Sequence, residues 1–155
     1  MKTVSRFLCI MIIFTCCFSF VSCFLYSDET KNEMNKAHVF IEKFFSEISK
    51  GDISEAEKYM HPQFLKDEGN LSDYLAMWEK SEEMDFSQGI YIDYVAGQCI
   101  STSHDLYNGY KYEGYKISYY LIIGNERKKC DVYVCDNDDG YGIYDTIFSR
   151  YTGIL

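Results

Sequence analysis

The chain has 155 residues, with 24 acidic and 15 basic side chains and a net charge of −9 at pH 7. Nucleic-acid binding and attachment to an anionic membrane surface both depend on Lys and Arg, so this charge argues against either function. Fifteen Tyr, 11 Phe and a single Pro are typical of a folded body rather than a disordered one.

The first 22 residues are typical of a secretory signal. Lys2 and Arg6 precede an apolar run from Phe7 to Val21, and the small Ser22 leads into Cys23. We therefore expect the rest of the chain to be exported. Without Lys2 and Arg6, 13 of the 15 basic residues remain against 24 acidic ones, which gives the exported body a net charge of −11.

The end of this leader resembles the cleavage site of bacterial lipoproteins. In that family the cysteine that receives the lipid follows three characteristic positions. The first is an aliphatic residue, the second is a small or hydroxyl residue, and the third is Gly, Ala or Ser. Val21 and Ser22 match the last two positions, and Phe20 departs from the first. The resemblance implies that a lipid on Cys23 anchors the body to the extracytoplasmic side of a membrane in the cell envelope.

Two other interpretations of the leader remain open. Simple cleavage after residue 22 would release a soluble, secreted domain. An uncleaved leader would itself act as the anchor, although its apolar run of ~15–18 residues is short of the ~20 that span a bilayer. All three interpretations place the body outside the cytoplasm.

Three helices are predicted after a short tether, residues 23–30. Residues 31–50 carry apolar side chains at three- and four-residue steps, which indicates one buried stripe on a helix. A second helix is expected to start at Asp52 and to end before Pro62, because the residue before a proline is pushed out of helical geometry. A third helix is predicted over residues 71–82.

Four strands follow, at about residues 89–102, 110–123, 128–135 and 141–149. Glycine-containing turns separate all four from one another, and short connections imply antiparallel neighbours. A run of helices followed by a run of strands predicts an α+β fold, with the helices packed on a curved antiparallel sheet of about four strands.

The alternation of inward and outward side chains along these strands limits which cysteines could form a disulfide bond. Cys130 and Cys135 lie five residues apart in one predicted strand, which is too far for a disulfide bond. Cys99 and Cys135 are assigned to the same, outer face of the sheet. They are therefore the candidate disulfide, and free cysteines are the alternative.

The outer face of the predicted sheet is also rich in aromatic residues. Such faces are enriched at protein interfaces, because rings bury much area at a low cost in entropy. The partner would be a second copy or another envelope protein, and ordinary tyrosine on a solvated sheet is the alternative. The candidate interface residues are Tyr91, Tyr112, Tyr120, Ile122 and Tyr133.

The order of elements resembles the NTF2-like superfamily, and in particular small envelope lipoproteins with that fold. The likeness covers roughly residues 31–149. It consists of a phenylalanine-rich helix, a Gly-Asp pair, a short helix ending near a proline and then antiparallel strands. We therefore assign residues 31–155 to an NTF2-like domain. The matching residues are Phe40, Phe44, Phe45, Gly51, Asp52, Ala56 and Pro62.

The resemblance implies a cone with a pocket at its wide end, formed by a curved sheet around helices. Aromatic residues of the helices would line or plug this pocket, and inward tyrosines of the strands would add hydroxyl groups. Folds of this kind include both enzymes and binding modules, so the fold alone does not decide the function. The candidate pocket residues are Phe44, Phe45, Tyr59, Trp78, Tyr115 and Tyr119.

No catalytic residue is assigned. Enzymes of this superfamily place an Asp, His or Tyr inside the cone as an acid or base, but the strand residues Asp93 and Asp131 are predicted on the outer face. Asp145 lies in a strand whose faces are ambiguous. His38, His61 and His104 are expected to be structural or solvent-facing.

No metal site or cofactor is predicted either. The acidic turn that ends at Gly140 resembles a calcium loop, but alignment on that glycine puts Cys135 where an acidic ligand is needed. The sequence thus predicts a non-catalytic domain that binds a small apolar ligand or an envelope protein. The alternatives are a pocket enzyme of the isomerase or dehydratase type, and a structural or inhibitory envelope protein.

Overall fold

The computed structural model describes residues 27–104 and 111–149. The predicted signal peptide, the lipidation site Cys23 and most of the tether lie outside these ranges. The chain divides into the units Met1–Asn32 and Glu33–Leu155. Of the first unit, residues 28–32 form the start of a helix. In the part of the chain that the structure describes, no helix is both long and apolar enough to cross a membrane.

Four α-helices precede the sheet. The first begins at Asp28, earlier than predicted, so the last residues of the predicted tether are helical. Ser27 stabilises this start, because its hydroxyl oxygen accepts a hydrogen bond from the backbone amide of Thr30 (3.1 Å). The helices are α1 (Asp28–Lys50), α2 (Ile53–Glu57), α3 (Pro62–Glu68) and α4 (Leu71–Glu82).

The helix α3 was not predicted. As expected, Asp52 caps α2, and its carboxylate accepts from the backbone amide of Glu55 (3.1 Å). The His61-Pro62 pair, however, begins α3 rather than ending α2. Nδ1 of His61 accepts from the amide of Gln63 (3.1 Å), and proline is favoured at the first position of a helix because it lacks the amide hydrogen that would be unpaired there.

The second half of the chain forms one antiparallel sheet in the order β1-β2-β3-β4. The α+β prediction is therefore confirmed, with four helices and a curved four-stranded sheet. The strands are β1 (Ile90–His104), β2 (Lys111–Ile123), β3 (Glu126–Asn137) and β4 (Gly140–Ser149).

The core lies between the helices and one face of the sheet, which we call the inner face. The rings of Trp78 on α4 and Phe148 on β4 are 4.9 Å apart, and Lys128 on β3 donates a hydrogen bond to the carbonyl of Glu82 at the end of α4. Each fully buried large apolar side chain contributes roughly 1.5–3 kcal/mol to folding. The largest fully buried apolar side chains are Tyr119, Phe44, Phe45, Ile41, Leu71, Ile117, Leu121 and Ile143.

A β-bulge at Val95 changes which residues of β1 face the core. Tyr94 pairs with Tyr119 and Ala96 pairs with Ser118, so Val95 is an extra residue in β1. Beyond it the alternation is reversed. Cys99 lies opposite Tyr115 and therefore on the inner face, whereas the sequence assigned it to the outer face.

The candidate disulfide between Cys99 and Cys135 is therefore wrong. Strand β2 lies between β1 and β3, and at about 4.8 Å per strand the two thiols are in strands about 10 Å apart. Disulfide-bonded residues have Cα atoms at most about 7 Å apart. Cys99, Cys130 and Cys135 are all free thiols.

Candidate functional site

The aromatic residues of the candidate pocket are mainly part of the packed core. Phe44, Phe45, Trp78 and Tyr119 are all at most 3% exposed. Tyr59 and Tyr115 are partly buried and pack against the same core. The rings contact one another, as in the edge-to-face pair of Phe44 and Phe45 with centroids 5.0 Å apart. This arrangement fills the interior rather than leaving it open.

A groove of about 380 Å³ lies instead between α1 and the start of β1. Ser49 joins its two walls, because its hydroxyl oxygen accepts a hydrogen bond from the amide of Ile90 (3.0 Å). The lining combines charged, hydroxyl and apolar groups. Its residues are Glu42, Phe45, Ser46, Ser49 and Lys50 from α1, and Ile90, Tyr91 and Ile92 from β1. Of the predicted pocket residues, only Phe45 belongs to it.

Beside this groove a histidine, a tyrosine and a carboxylate lie in a row. Oη of Tyr119 and Nδ1 of His38 are 2.7 Å apart, and Nε2 of His38 is 3.5 Å from Oε1 of Glu42. Burial, reinforced by the Glu42 carboxylate, raises the pKa of Tyr119 above its ordinary value. The protonated phenol can therefore donate to Nδ1, which leaves the imidazole proton on Nε2, facing Glu42. The ring of Tyr94 covers His38, with centroids 5.1 Å apart.

A second carboxylate–phenol pair joins α4 to β4. The hydroxyl of Tyr74 donates to Oδ1 of Asp145 (3.2 Å), and the amide of Thr146 donates to the same oxygen (2.7 Å). Burial first, and then the Asp145 charge, raises the pKa of Tyr74. Asp145, whose face was ambiguous from the sequence, thus contacts a helix and is half-buried. These bonds connect two elements of the fold.

His61 is fully buried and has a structural role. Its Nδ1 caps α3, so its proton is on Nε2, which donates to the side-chain oxygen of Asn137 (3.2 Å). Its ring also packs edge-to-face against Tyr144, with centroids 6.1 Å apart. The imidazole therefore connects α3 to the end of β3.

Four of the candidate interface residues, Tyr91, Tyr120, Ile122 and Tyr133, lie on the outer face, as the strand register shows. Tyr91 pairs with Ile122, Asp93 with Tyr120, and Lys116 with Tyr133. Tyr91 is 65% exposed, and Tyr120, Ile122 and Tyr133 are half-buried. Tyr112 belongs to β2 opposite Ser103, but its side chain lies outside the described part of the structure.

Charged side chains accompany these tyrosines. The guanidinium of Arg127 lies 3.8 Å from the ring centroid of Tyr120 and 2.9 Å from the carboxylate of Asp93. Asp131 accepts a hydrogen bond from Ser118 and lies 3.6 Å from the ammonium of Lys116. Asp93 and Asp131 are thus each matched by a cation, and both are on the outer face, as predicted.

No ion site emerges from the side chains of the described ranges. Within them, no group of three or more His, Cys, Asp or Glu residues could hold a metal ion. Burial raises the pKa of Cys130, and it raises the pKa of Cys135 to about 11. Both thiols are therefore neutral near pH 7, which makes them poor nucleophiles and poor metal ligands.

Comparison with known proteins adds no assignment. No family model, no curated protein and no solved structure matches the chain. The resemblance to the NTF2-like superfamily consequently remains a prediction from the sequence.

Proposed function

We propose that this chain is an exported, membrane-anchored, non-catalytic domain of the NTF2-like class that binds another envelope protein through the outer face of its sheet. The observation that carries the proposal is the position of this face. It bears the half-buried Tyr120, Ile122 and Tyr133 and the exposed Tyr91, whereas the residues of β2 on the opposite face, Ile117, Tyr119 and Leu121, are buried in the core with residues of the helices.

The chemistry of the face is typical of protein interfaces. Tyrosine and arginine are enriched in them and dominate their binding energy, because a ring or a guanidinium contributes large contact area and a hydrogen bond together. Arg127 stacked on Tyr120 is such a pair, and its cation is held by Asp93. A protein partner could bury these groups without leaving a charge unpaired.

A small apolar ligand, the other predicted partner, fits the structure less well. The aromatic rings that would contact it are in the packed core. The groove beside α1 carries the carboxylate of Glu42 and the ammonium of Lys50, both of which stay solvated and favour a polar occupant. A protein partner on the outer sheet face is therefore the better proposal.

The proposed anchor is a lipid on Cys23. With a net charge of −11, the exported body would be repelled by anionic lipid, so attachment needs the lipid rather than the surface of the domain. Intact-mass analysis of the protein from native membranes tests this. We expect a diacylglyceryl adduct on a chain that starts at Cys23, and an unmodified soluble chain would contradict the anchor.

Cross-linking in native membranes tests the binding surface. We expect the wild-type chain to capture a stoichiometric envelope protein, and the double variant Tyr120→Ser/Tyr133→Ser to lose most of it. Met77→Ser, which changes an exposed apolar residue on α4, is the matched control and should retain the partner. Equal capture of the partner by the double variant and by Met77→Ser would contradict binding through the outer face.

A pocket enzyme is the second candidate, and the row of Glu42, His38 and Tyr119 favours it. A carboxylate that orients a histidine is a common acid–base arrangement. Tyr119 is fully buried, so a substrate could reach only the His38 ring and Glu42. Turnover of an isomerase or dehydratase substrate that disappears in His38→Gln would support the enzyme against the binding proposal.

A further inference from the structure

Lys129 lies on the outer face of the sheet without a carboxylate beside it. It belongs to the interior strand β3 and pairs with Tyr120 of β2, so the two side chains are neighbours on the same face. The residue is half-buried. Among the described residues, no side chain forms an ion pair or a hydrogen bond with its ammonium group.

The charges on either side of Lys129 are already paired. Two positions before it in β3, Arg127 is 2.9 Å from the carboxylate of Asp93. Two positions after it, Asp131 is 3.6 Å from the ammonium of Lys116. Of the three cations that the described parts of β2 and β3 place on this face, two therefore have a carboxylate partner, and Lys129 does not.

A protein that covered the tyrosines of this face would also cover Lys129. Tyr120 lies directly opposite Lys129, and Tyr133 is four residues further along β3, about 13 Å at 3.3 Å per residue. An interface of standard size, about 800 Å² on each partner, extends over all three. Burial removes the ammonium group from water, which is costly unless an opposite charge replaces the lost hydration.

A second copy that docked through the same face would not supply this charge. Its carboxylates Asp93 and Asp131 are held by cations of their own chain. Its Lys129 would add a second unpaired cation to the same interface. The missing negative charge must therefore come from a protein with a different surface.

We propose that the partner of the outer face contributes an Asp or Glu side chain that forms a salt bridge with Lys129 beside the ring of Tyr120. This inference rests on the function proposed above and adds the chemistry of the partner's surface, which is a carboxylate within an apolar or aromatic surround. The pair would select the partner, because a neutral or basic residue at that position would leave the ammonium group buried and unpaired.

Two cross-linking reagents in native membranes test the pair. A carbodiimide joins an amine directly to a carboxylate that touches it, whereas a longer reagent that joins two amines reports the complex without requiring that contact. We expect both reagents to capture the same envelope protein. Peptide mass mapping of the carbodiimide product should then find an amide bond between Lys129 and an Asp or Glu of that protein.

Variants of Lys129 separate its charge from its reactivity. Lys129→Arg keeps the cation, so the amine reagent should capture the partner as in the wild type, while the carbodiimide link at this position is lost. Lys129→Glu should lower capture by the amine reagent roughly tenfold, because it places like charges together. The matched control is Lys43→Glu, the same reversal at an exposed residue of α1, which should retain the partner. Circular dichroism would verify that all three variants fold.

The outcomes distinguish this inference from the function on which it rests. Capture by the amine reagent without a carbodiimide link at Lys129 would overturn the inference and leave binding through the outer face intact. Equal capture by Lys129→Glu and Lys43→Glu would overturn it as well, and so would a link from Lys129 to a carboxylate of this chain, in the same or a second copy. No capture by either reagent would contradict the proposed function, and the inference with it.

Discussion

His38 connects a surface groove to the core. One ring nitrogen faces Glu42 on the groove wall, and the other is 2.7 Å from the hydroxyl of Tyr119, a residue with no exposed surface. A buried hydroxyl without a partner would cost about 1–3 kcal/mol, so this bond explains how a tyrosine can lie in the core. Together with Glu42, this contact forms the arrangement of acid–base groups that lies beside the groove.

Burial also sets the reactivity of the thiols. Cys130 and Cys135 have no exposed surface and their pKa values are raised, whereas Cys99 is only partly buried. We expect an alkylating agent at pH 8 to modify Cys99 well before the other two in the folded protein, and all three in denaturant. Peptide mass mapping would measure this, with Cys99→Ser as the control that removes the early adduct. Early modification of Cys130 would contradict the described core.

The same groups predict how stability depends on pH. Burial raises the folded-state pKa of Cys135 from 9.0 to about 11 and that of Tyr141 from 10.0 to about 12. Above the unfolded pKa, the unfolded chain has lost the proton while the folded chain keeps it. The stabilisation is therefore complete below about pH 9 and is lost as the pH rises through about 11 to 12. Urea denaturation between pH 8 and 12 should show a falling midpoint, and a constant midpoint would contradict the prediction.

At the scale of elements, the segment between α2 and α3 is fixed to β4 by backbone contacts. The amide of His61 donates to the carbonyl of Ile143, and the amide of Ile143 donates to the carbonyl of Tyr59, both at 2.8 Å. Gly142 allows this approach. A Cβ atom there would lie 2.5 Å from the backbone nitrogen of His61, well inside van der Waals contact. The side chain of any other residue would force the two segments apart.

Substitution of this glycine tests the contact. We expect Gly142→Ala to lower the free energy of unfolding by about 3 kcal/mol, as overpacking of a rigid site does. Gly97→Ala is the matched control, because its Cβ would meet only side-chain atoms, the Tyr94 hydroxyl at 3.3 Å and the Met34 sulfur at 3.5 Å. Chemical denaturation of both variants would measure the difference. If Gly142→Ala and Gly97→Ala lowered the free energy of unfolding by similar amounts, the close approach of β4 to residues 59–61 would be contradicted.

Periodicity predicted most of these elements, and the exceptions have local causes. The helices α1 and α4 and all four strands follow from apolar spacing, because each has one face in the core. Helix α3 was missed because a His-Pro pair can either end a helix or begin one, and only the cap from His61 to Gln63 decides which. The bulge at Val95 moved Cys99 to the other face, and the nearest sign of it in the sequence is Gly97, two residues further on.

The candidate site could be predicted only in part. The four-residue spacing of His38 and Glu42 places both on one side of a helix, and alternation had put Tyr119 inward. The contact between His38 and Tyr119 joins residues 81 positions apart, and its existence depends on how α1 lies across β2. The groove likewise depends on packing between α1 and β1, which no sequence pattern specifies.

At the scale of the whole molecule, the net charge of −9 is unevenly distributed, and salt should reveal this. Like charges within residues 51–88 repel one another, and salt at about 0.15 M screens charges separated by more than about 8 Å. We therefore expect added salt to raise the melting temperature of the protein.

The variant Glu82→Gln/Glu83→Gln tests this prediction. It removes two of the ten acidic side chains of residues 51–88, so the melting temperature should depend less on salt than that of the wild type. Thermal unfolding of both proteins at several salt concentrations would measure the difference. An equal salt dependence in the two would show that repulsion within this segment does not limit stability.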